Sequence, residues 1–311
     1  MEKVIVVIGP TSVGKTKMGV ALAKKFNGEV ISGDSMQIYK QMDIGTAKVT
    51  EEEKEGIIHH CVDILNPDET YSVHDFQQTV RKKITEITQR GHVPIIVGGT
   101  GLYIKAALYD YQFDEMENDH HAINEKYKDY TNEQLHDHLK SIDEESAKIL
   151  HFNNRRRVLR AIEIYETTGK RKSEMLEEQE HICLYDAYFV GLTLPRDVLY
   201  ERINKRVDVM MENGLKEEME RLYSQGLTRN HQSMKAIGYK EWFDYYDHQI
   251  DLNDVLELIK KHSRQYAKRQ YTWFKNQFDV HWYDVNLENF EQTIEQVTDD
   301  IEKILKVWVT K

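Results

Sequence analysis

The sequence predicts an α/β fold in which a parallel sheet is flanked by helices and interrupted by an all-helical insertion. Three observations carry this. A five-residue apolar run, Val4 to Ile8, leads into a glycine-bearing turn and then an amphipathic stretch. A second apolar run, Val93 to Val97, leads in the same way into Gly98-Gly99-Thr100-Gly101. Strand-like sequence then vanishes between about Asp114 and His181 and returns at Tyr188 to Leu194.

Taken in order, Val4 to Ile8 reads as a buried strand and Lys15 to Lys25 as a helix with Met18, Leu22 and Phe26 on one face. Val30 to Ser32 is a short second strand, expected beside the phosphate loop, which ends at Gly33-Asp34 and puts Asp34 at the carboxyl edge where open α/β sheets hold ligands. Ser72 caps a helix whose Phe76, Val80, Ile84 and Ile87 are spaced for burial, closed by Gly91. Val93 to Val97 is the next strand. Residues 1–113 and 184–311 are expected to form the core and residues 114–183 the helical insertion. Tyr188 to Leu194 completes the sheet before a helix from about Arg196 to Met211, and the remainder reads as helical. Leu287, Phe290, Ile294, Val297, Ile301, Leu305 and Trp308 recur at three or four, so the last helix should pack on the body.

With 311 residues, 40% of them hydrophobic, the chain is long enough to fill such a core. Cys61 and Cys183 lie far apart without metal-ligand spacing, and His59-His60 and His120-His121 also lack zinc partners. The first apolar run is too short for a signal or a membrane span, so a reducing cytoplasm and no membrane are expected. The net charge of −11 by itself argues against a polyanionic partner. The charge is segregated, however. Residues 114–145 hold eleven acidic and three basic residues, whereas 153–172 hold seven Lys/Arg against two Glu, and 260–275 hold six with no acid. A polyanion would dock at the two basic segments.

Gly9-Pro10-Thr11-Ser12-Val13-Gly14-Lys15-Thr16 fits GxxxxGK[ST], with a strand before it and a helix after it, which makes the core P-loop NTPase-like. Gly9 and Gly14 let backbone N–H groups turn inward around a phosphate, the helix start adds its positive dipole end, Lys15 supplies a cation, and the Thr16 hydroxyl is placed to ligate Mg2+. The motif leaves open whether the phosphates belong to a nucleotide such as ATP or to another diphosphate ester. Asp34 either helps to hold magnesium or accepts a proton from a nucleophile, unless it merely caps a turn. Gly98 to Tyr103 offers backbone N–H groups and the Thr100 hydroxyl, or is an ordinary glycine turn. Arg155, Arg156 and Arg157, with Arg160 on the next turn, suit a phosphate backbone. Arg264, Lys268 and Arg269 extend that surface on a helix that also carries Tyr266, Tyr271 and Trp273, whose rings either stack bases or belong to the core.

Eight segments in order resemble the bacterial tRNA dimethylallyltransferases, also called isopentenyl-tRNA transferases. They are GPTSVGKT, DSMQIYKQMDIGTAK from Asp34, HHCVDILNP from His59, VGGTGLY from Val97, RRVLRAIEIYETTGK from Arg156, RINKRVDVMMENGL from Arg202, AIGYKE from Ala236 and RQYAKRQYTWF from Arg264. The resemblance implies transfer of a five-carbon prenyl group from dimethylallyl diphosphate to the exocyclic amine of the adenosine just 3′ of the tRNA anticodon. It implies Lys15, Thr16 and Mg2+ on the diphosphate, Arg206 neutralising that group as it leaves, Asp34 as general base and Thr100 as a positioning group. It further implies that Asp34, Ser35, Met36 and Gln37, together with Arg156, Arg157, Val158, Leu159 and Arg160, contact tRNA, the target base being turned out of its loop. The implied partners are the tRNA anticodon stem-loop and dimethylallyl diphosphate, for a monomer. The stretch from Phe113 to Asn153 is the least family-like, and the residues for the zinc finger of some eukaryotic relatives are missing. Competing readings are a P-loop kinase acting on a small metabolite, an enzyme prenylating free AMP or ATP, and a non-catalytic RNA-binding module.

Overall fold

The computed structural model describes residues 1–111, 120–177 and 181–309, and their side chains except at 120, 121, 177 and 305–309. Phe113 and the expected border Asp114 lie outside these residues, as do the side chains of His120, His121, Leu305 and Trp308. The chain divides into two compact units, one of Met1–Tyr109 with Cys183–Lys311 and one of Asp110–Ile182.

The first unit begins with β1 (Lys3–Ile8), α1 (Lys15–Lys25), β2 (Gly28–Ser32), α2 (Glu51–Lys54), β3 (His59–His60), α3 (Val73–Gln89), β4 (Val93–Val97) and α4 (Gly101–Leu108). The second unit follows with α5 (His120–Lys126), α6 (Asn132–Ile142), α7 (Glu144–Ile149), α8 (Arg155–Thr168) and α9 (Lys172–Glu177). The first unit then resumes with β5 (Asp186–Thr193), α10 (Arg196–Glu212), α11 (Leu215–Ser224), a 3₁₀ turn at Ser233–Lys235, α12 (Trp242–Tyr246), α13 (Leu252–Gln277), β6 (His281–Asp284) and α14 (Phe290–Val309).

All six strands are parallel, in the order β3-β2-β4-β1-β5-β6. Helices cover both faces, so β1 has no solvent side and Val4 to Ile8 are at most 1% exposed. Val4, Val6 and Ile8 join Phe76, Val80 and Ile84 of α3 in one apolar layer. Ile5 and Val7 join Met18 and Leu22 of α1 and Val297 and Ile301 of α14 in the other. Each such side chain contributes about 1.5–3 kcal/mol on burial. Ser72 caps α3 as expected, its hydroxyl accepting from the Asp75 N–H while Asp75 answers the Ser72 N–H.

The apolar run of β4 occupies the slot between β2 and β1, pairing Ile31 with Ile96 on one side and Val6 with Ile96 on the other, an order the sequence reading left open. The structure corrects that reading in two places. The stretch after residue 212 is not wholly helical, because β6 adds an edge strand. Leu287 precedes α14 and is 42% exposed, so the packed stripe of the last helix starts at Phe290.

Among the described residues the second unit is helical throughout. Its core gathers Leu135 and Leu139 of α6 with Val158, Ala161 and Ile162 of α8. A capping box at Thr131 and Gln134 starts α6.

Candidate active site

Three loops meet above the carboxyl edge of the sheet in the first unit. The loop after β1 carries Gly9 to Thr16, the loop after β2 carries Asp34 to Gln37, and the turn after β4 carries Gly98 to Thr100. β4 lies between β1 and β2, so its turn touches both neighbours. A Cβ on Gly98 would stand 2.3 Å from the carbonyl carbon and oxygen of Gly33, a backbone contact that only glycine permits. The Thr100 N–H donates to Gly33 O at 3.2 Å. The Thr100 hydroxyl accepts from the Ser35 N–H at 3.1 Å, and so holds the Asp34 loop rather than lining a cavity.

Side chains from α13 and α10 fasten the phosphate loop. Gln270, buried on α13, accepts from the Thr11 N–H at 3.0 Å and donates to Gly99 O at 2.9 Å, joining two of the three loops. Arg202 donates to Ser12 O at 3.0 Å, and Arg206 reaches the Thr11 hydroxyl at 3.4 Å. Ser12 has a φ of 66°, and its buried hydroxyl has no hydrogen-bond partner among the described residues.

A cavity of about 530 Å³ opens on this loop, lined by Lys15, Thr16, Asp34, Arg202, Lys205 and Arg206 among others. A second, of about 350 Å³, is lined by Met36, Ile237, Gly238, Tyr266 and Arg269. The two share Thr11, Ser12, Asp34, Thr46, Ala47 and Arg206. A group held in one cavity therefore meets a group held in the other at Asp34 and Arg206.

The electrostatics of this junction follow from its enclosure. Burial pushes the Lys15 ammonium down to about 7, Arg206 adds to the shift and Asp34 opposes it; the ammonium donates to Pro10 O at 2.7 Å. Burial likewise lowers the Arg206 guanidinium, with Glu53 and Asp34 opposing. Burial raises the Asp34 carboxyl, while hydrogen bonds from the Met36 and Gln37 N–H groups and the charges of Lys15 and Arg206 pull it back. Asp34 Oδ1 accepts from the Met36 N–H at 2.8 Å, so the carboxylate does cap its own turn while it lines both cavities. Two enclosed cations and one raised carboxyl suit an anionic leaving group and a proton acceptor side by side. The Thr16 hydroxyl lines the phosphate cavity and makes no hydrogen bond to the described residues. A hard oxygen donor beside a carboxylate and a phosphate cradle fits Mg2+, which takes few protein ligands and completes its shell with phosphate oxygens and water.

Of the other expected residues, Arg269 lines the second cavity, its guanidinium 5.8 Å from the centre of the Tyr266 ring. Lys268 is exposed and borders a separate cleft beside Arg196 and Tyr271, while Arg264 donates to Asn204. Trp273 packs with the core. In the second unit, Arg156 and Arg157 are exposed on α8, and Lys172 has its ammonium lowered by burial and by the charges of Arg157 and Arg160. Val158 and Leu159 point into the helical core at 0% and 6% exposure, so, against expectation, their side chains are not offered to a partner. Arg155 is turned to structure, donating to Tyr127 O and Tyr130 O at 2.7 Å each.

Sequence reasoning missed Gln270, Lys205 and His59 at this site. Gln270 sits on the buried face of α13 beside Ala267 and Phe274, whereas Lys205 is exposed on α10. His59 lines the phosphate cavity from β3, with its Nδ1 2.9 Å from Ile57 O and its pKa lowered by burial.

The family model described as IPP transferase matches residues 37–277. A tRNA dimethylallyltransferase of Bacillus cereus (strain AH187) is 55% identical over 287 residues, spanning 91% of this chain and 90% of its own length. One of Bacillus anthracis is 54% identical over 91% of each chain. Among solved structures, a tRNA isopentenylpyrophosphate transferase of Staphylococcus epidermidis superposes with a TM-score of 0.73 at 47% identity, covering 97% of this chain and 99% of that one. A eukaryotic dimethylallyltransferase acting on tRNA superposes with a TM-score of 0.86 at 32% identity, covering 99% of this chain and 80% of that one.

Proposed function

Because the chain belongs to the IPP transferase family, whose matched members are tRNA dimethylallyltransferases, we propose a reading of its site that starts from prenyl transfer to tRNA. The enzyme moves the dimethylallyl group of dimethylallyl diphosphate onto N6 of the adenosine 3′-adjacent to the anticodon, position 37, and releases diphosphate. The observation that carries this is the meeting of two cavities at Asp34 and Arg206. The diphosphate occupies the cavity of the Gly9–Thr16 loop. The adenine, turned out of the anticodon loop, occupies the one lined by Met36, Ile237 and Tyr266.

An adenine amine is a weak nucleophile because its lone pair is delocalised into the ring. As N6 forms its bond to C1 of the prenyl group, the C1–O bond to the diphosphate breaks and the electron pair leaves with that oxygen. Asp34 takes the N6 proton, and Arg206 and Lys15 stabilise the departing anion. The Thr16 hydroxyl would hold Mg2+ at the diphosphate, and the ion would supply further positive charge to the same leaving group. Thr100 and Gln270 act through the loops they fasten. Arg156, Arg157 and Arg160 of the helical unit bind the backbone of the anticodon arm, and Arg264, Lys268 and Arg269 bind RNA from α13. The protein acts as a monomer in the cytoplasm. No helix among the described residues is long and apolar enough to cross a membrane.

The test is donor and acceptor dependence. Purified protein with magnesium should release diphosphate from dimethylallyl diphosphate only when tRNA is added. Equal release with AMP in place of tRNA would overturn the acceptor assignment, and consumption of ATP without either would overturn the donor.

A further inference from the structure

The segment from Asp43 to Lys48 forms part of the wall where the two cavities meet, since Thr46 and Ala47 line both and Gly45 lines the second. It belongs to no helix or strand; the Ala47 and Lys48 N–H groups donate within the segment, to Ile44 O and Asp43 O, and the others need partners from outside. One buried side chain supplies three of them. Glu218 of α11, 2% exposed, accepts from the N–H groups of Asp43 and Ile44 on Oε2, both at 2.9 Å, and from that of Gly45 on Oε1 at 3.1 Å. Oε1 also accepts from the Tyr239 hydroxyl at 2.6 Å. No Lys, Arg or His among the described residues pairs with this carboxylate.

Tyr239 ties the loop to the opposite wall. It is fully buried, and it follows Ala236, Ile237 and Gly238, which line the second cavity. Its ring lies so close to Gly45 that a Cβ there would stand 2.5 Å from a ring carbon. The far end of the loop is held independently, by Lys48 donating to Tyr39 O at 2.7 Å and to Asp43 at 2.6 Å, and by Gln37 donating to Ala47 O at 3.2 Å. Ala47, at a φ of 48°, sits in the left-handed region that a side chain resists, a conformation that persists only where its surroundings enforce it.

We propose that Glu218 is a positioning residue for the transfer, clamping the 43–47 loop and, through Tyr239, the 236–238 segment, so that the acceptor cavity closes on the base at Asp34. α11 buries Leu215, Met219 and Leu222 on the same face, where an apolar residue would pack without the desolvation cost of a carboxylate. Instead four donors converge on the Glu218 carboxyl group, two of them on each oxygen.

This inference rests on the reaction assigned above, and its test separates the two. Glu218→Gln keeps the volume but in either orientation points an amide NH2 at two of the four donors. Tyr239→Phe removes one donor and leaves the three backbone bonds. Single-turnover prenylation is measured with donor saturating and enzyme in excess over tRNA and well above its dissociation constant, raised until the rate constant no longer changes, so that a misfolded fraction does not alter that constant. The expected result is a rate constant at least tenfold lower in Glu218→Gln and severalfold lower in Tyr239→Phe, no further loss in the double variant, and unchanged affinity for a non-reacting thio analogue of the donor. A wild-type rate constant in Tyr239→Phe overturns the inference, as does one in Glu218→Gln; if Glu218→Gln fails to fold, Tyr239→Phe decides. A wild-type enzyme that prenylates no tRNA overturns the reaction assignment and this inference with it, whereas active wild type with unaffected variants overturns this inference alone.

Discussion

Replacing Gln270 with leucine tests the claim that a single side chain from α13 holds the phosphate loop and the turn after β4 in register. The two side chains are of similar volume, so packing changes little and the effect falls on two hydrogen bonds. The Thr11 N–H loses its acceptor at 3.0 Å and is left without a partner. Gly99 O loses its donor at 2.9 Å but keeps the Tyr266 hydroxyl at 3.4 Å. A buried polar group left unsatisfied costs about 1–3 kcal/mol, and the long remaining bond puts Gly99 at the lower end, so the total is about 2–4 kcal/mol. At about 2–4 °C per kcal/mol for a body of this size, the melting temperature should fall by roughly 5–15 °C. Both residues border the phosphate cavity, so the donor also suffers: its affinity, read by calorimetry with the thio analogue, should fall about tenfold, equivalent to about 1.4 kcal/mol. Differential scanning calorimetry of Gln270→Leu measures the first quantity directly. A melting temperature within about 2 °C of wild type, with unchanged donor affinity, would refute the reasoning, because it would mean that the loop finds its partners without α13.

Asp34→Asn retains an oxygen for the Met36 N–H and removes only the proton acceptor, so turnover should drop by about 10²–10⁴ while the donor analogue still binds; turnover near wild type would remove the general-base role. For Lys15 the sign is set by a lowered pKa: the free enzyme loses this charge as pH rises through about 7, and the bound diphosphate restores it. Donor binding should therefore take up close to one proton well above pH 7 and none well below it, measurable by calorimetry in buffers of different ionisation enthalpy; no uptake at alkaline pH would contradict the placement of the diphosphate on Lys15. Arg157→Ala, at an exposed position on α8, should weaken tRNA binding and reduce the salt slope of log K by about one. An unchanged slope in a filter-binding titration would sink that contact.

The parts of the fold that were legible in the sequence are those where one physical demand dominates. α1 runs from Lys15 to Lys25 as expected, because a glycine turn fixes its start and its apolar face has nowhere to go but the sheet. β1 and β4 were legible as uninterrupted apolar runs buried on both faces. β3 is two residues long, and β6, His281–Asp284, is an edge strand of polar composition flanked by acid, so neither carries a periodic signal. The position of β2 one strand away from β1 was not legible, since strand order is set by long-range pairing and not by any local pattern.

The site divides in the same way. Lys15, Thr16, Asp34 and Arg206 line the phosphate cavity; the first three stand in segments whose residue types suggest a phosphate or proton task, and Arg206 was legible only through the family resemblance. Gln270 and Glu218 were invisible as functional residues because the backbone groups they hold lie 171 to 259 positions away in sequence. Their positions nevertheless carried a hint. Gln270 lies between Ala267 and Phe274 on the buried face of α13, and Glu218 between Leu215 and Leu222 on that of α11. A polar residue on an apolar stripe needs a partner, and asking which one points to the loops. Val158 and Leu159 illustrate the reverse case, since the same periodicity assigns them to the core of the helical unit and leaves Arg156 and Arg157 to face solvent.

The most direct measurement is mass spectrometry of the nucleosides and RNase fragments of unmodified tRNA incubated with the purified protein, magnesium and isotopically labelled dimethylallyl diphosphate. The account predicts a single labelled nucleoside, N6-isopentenyladenosine, in the fragment that carries position 37, formed in step with diphosphate release. Label at another atom or another position of the tRNA, or no label while diphosphate is released, would contradict it.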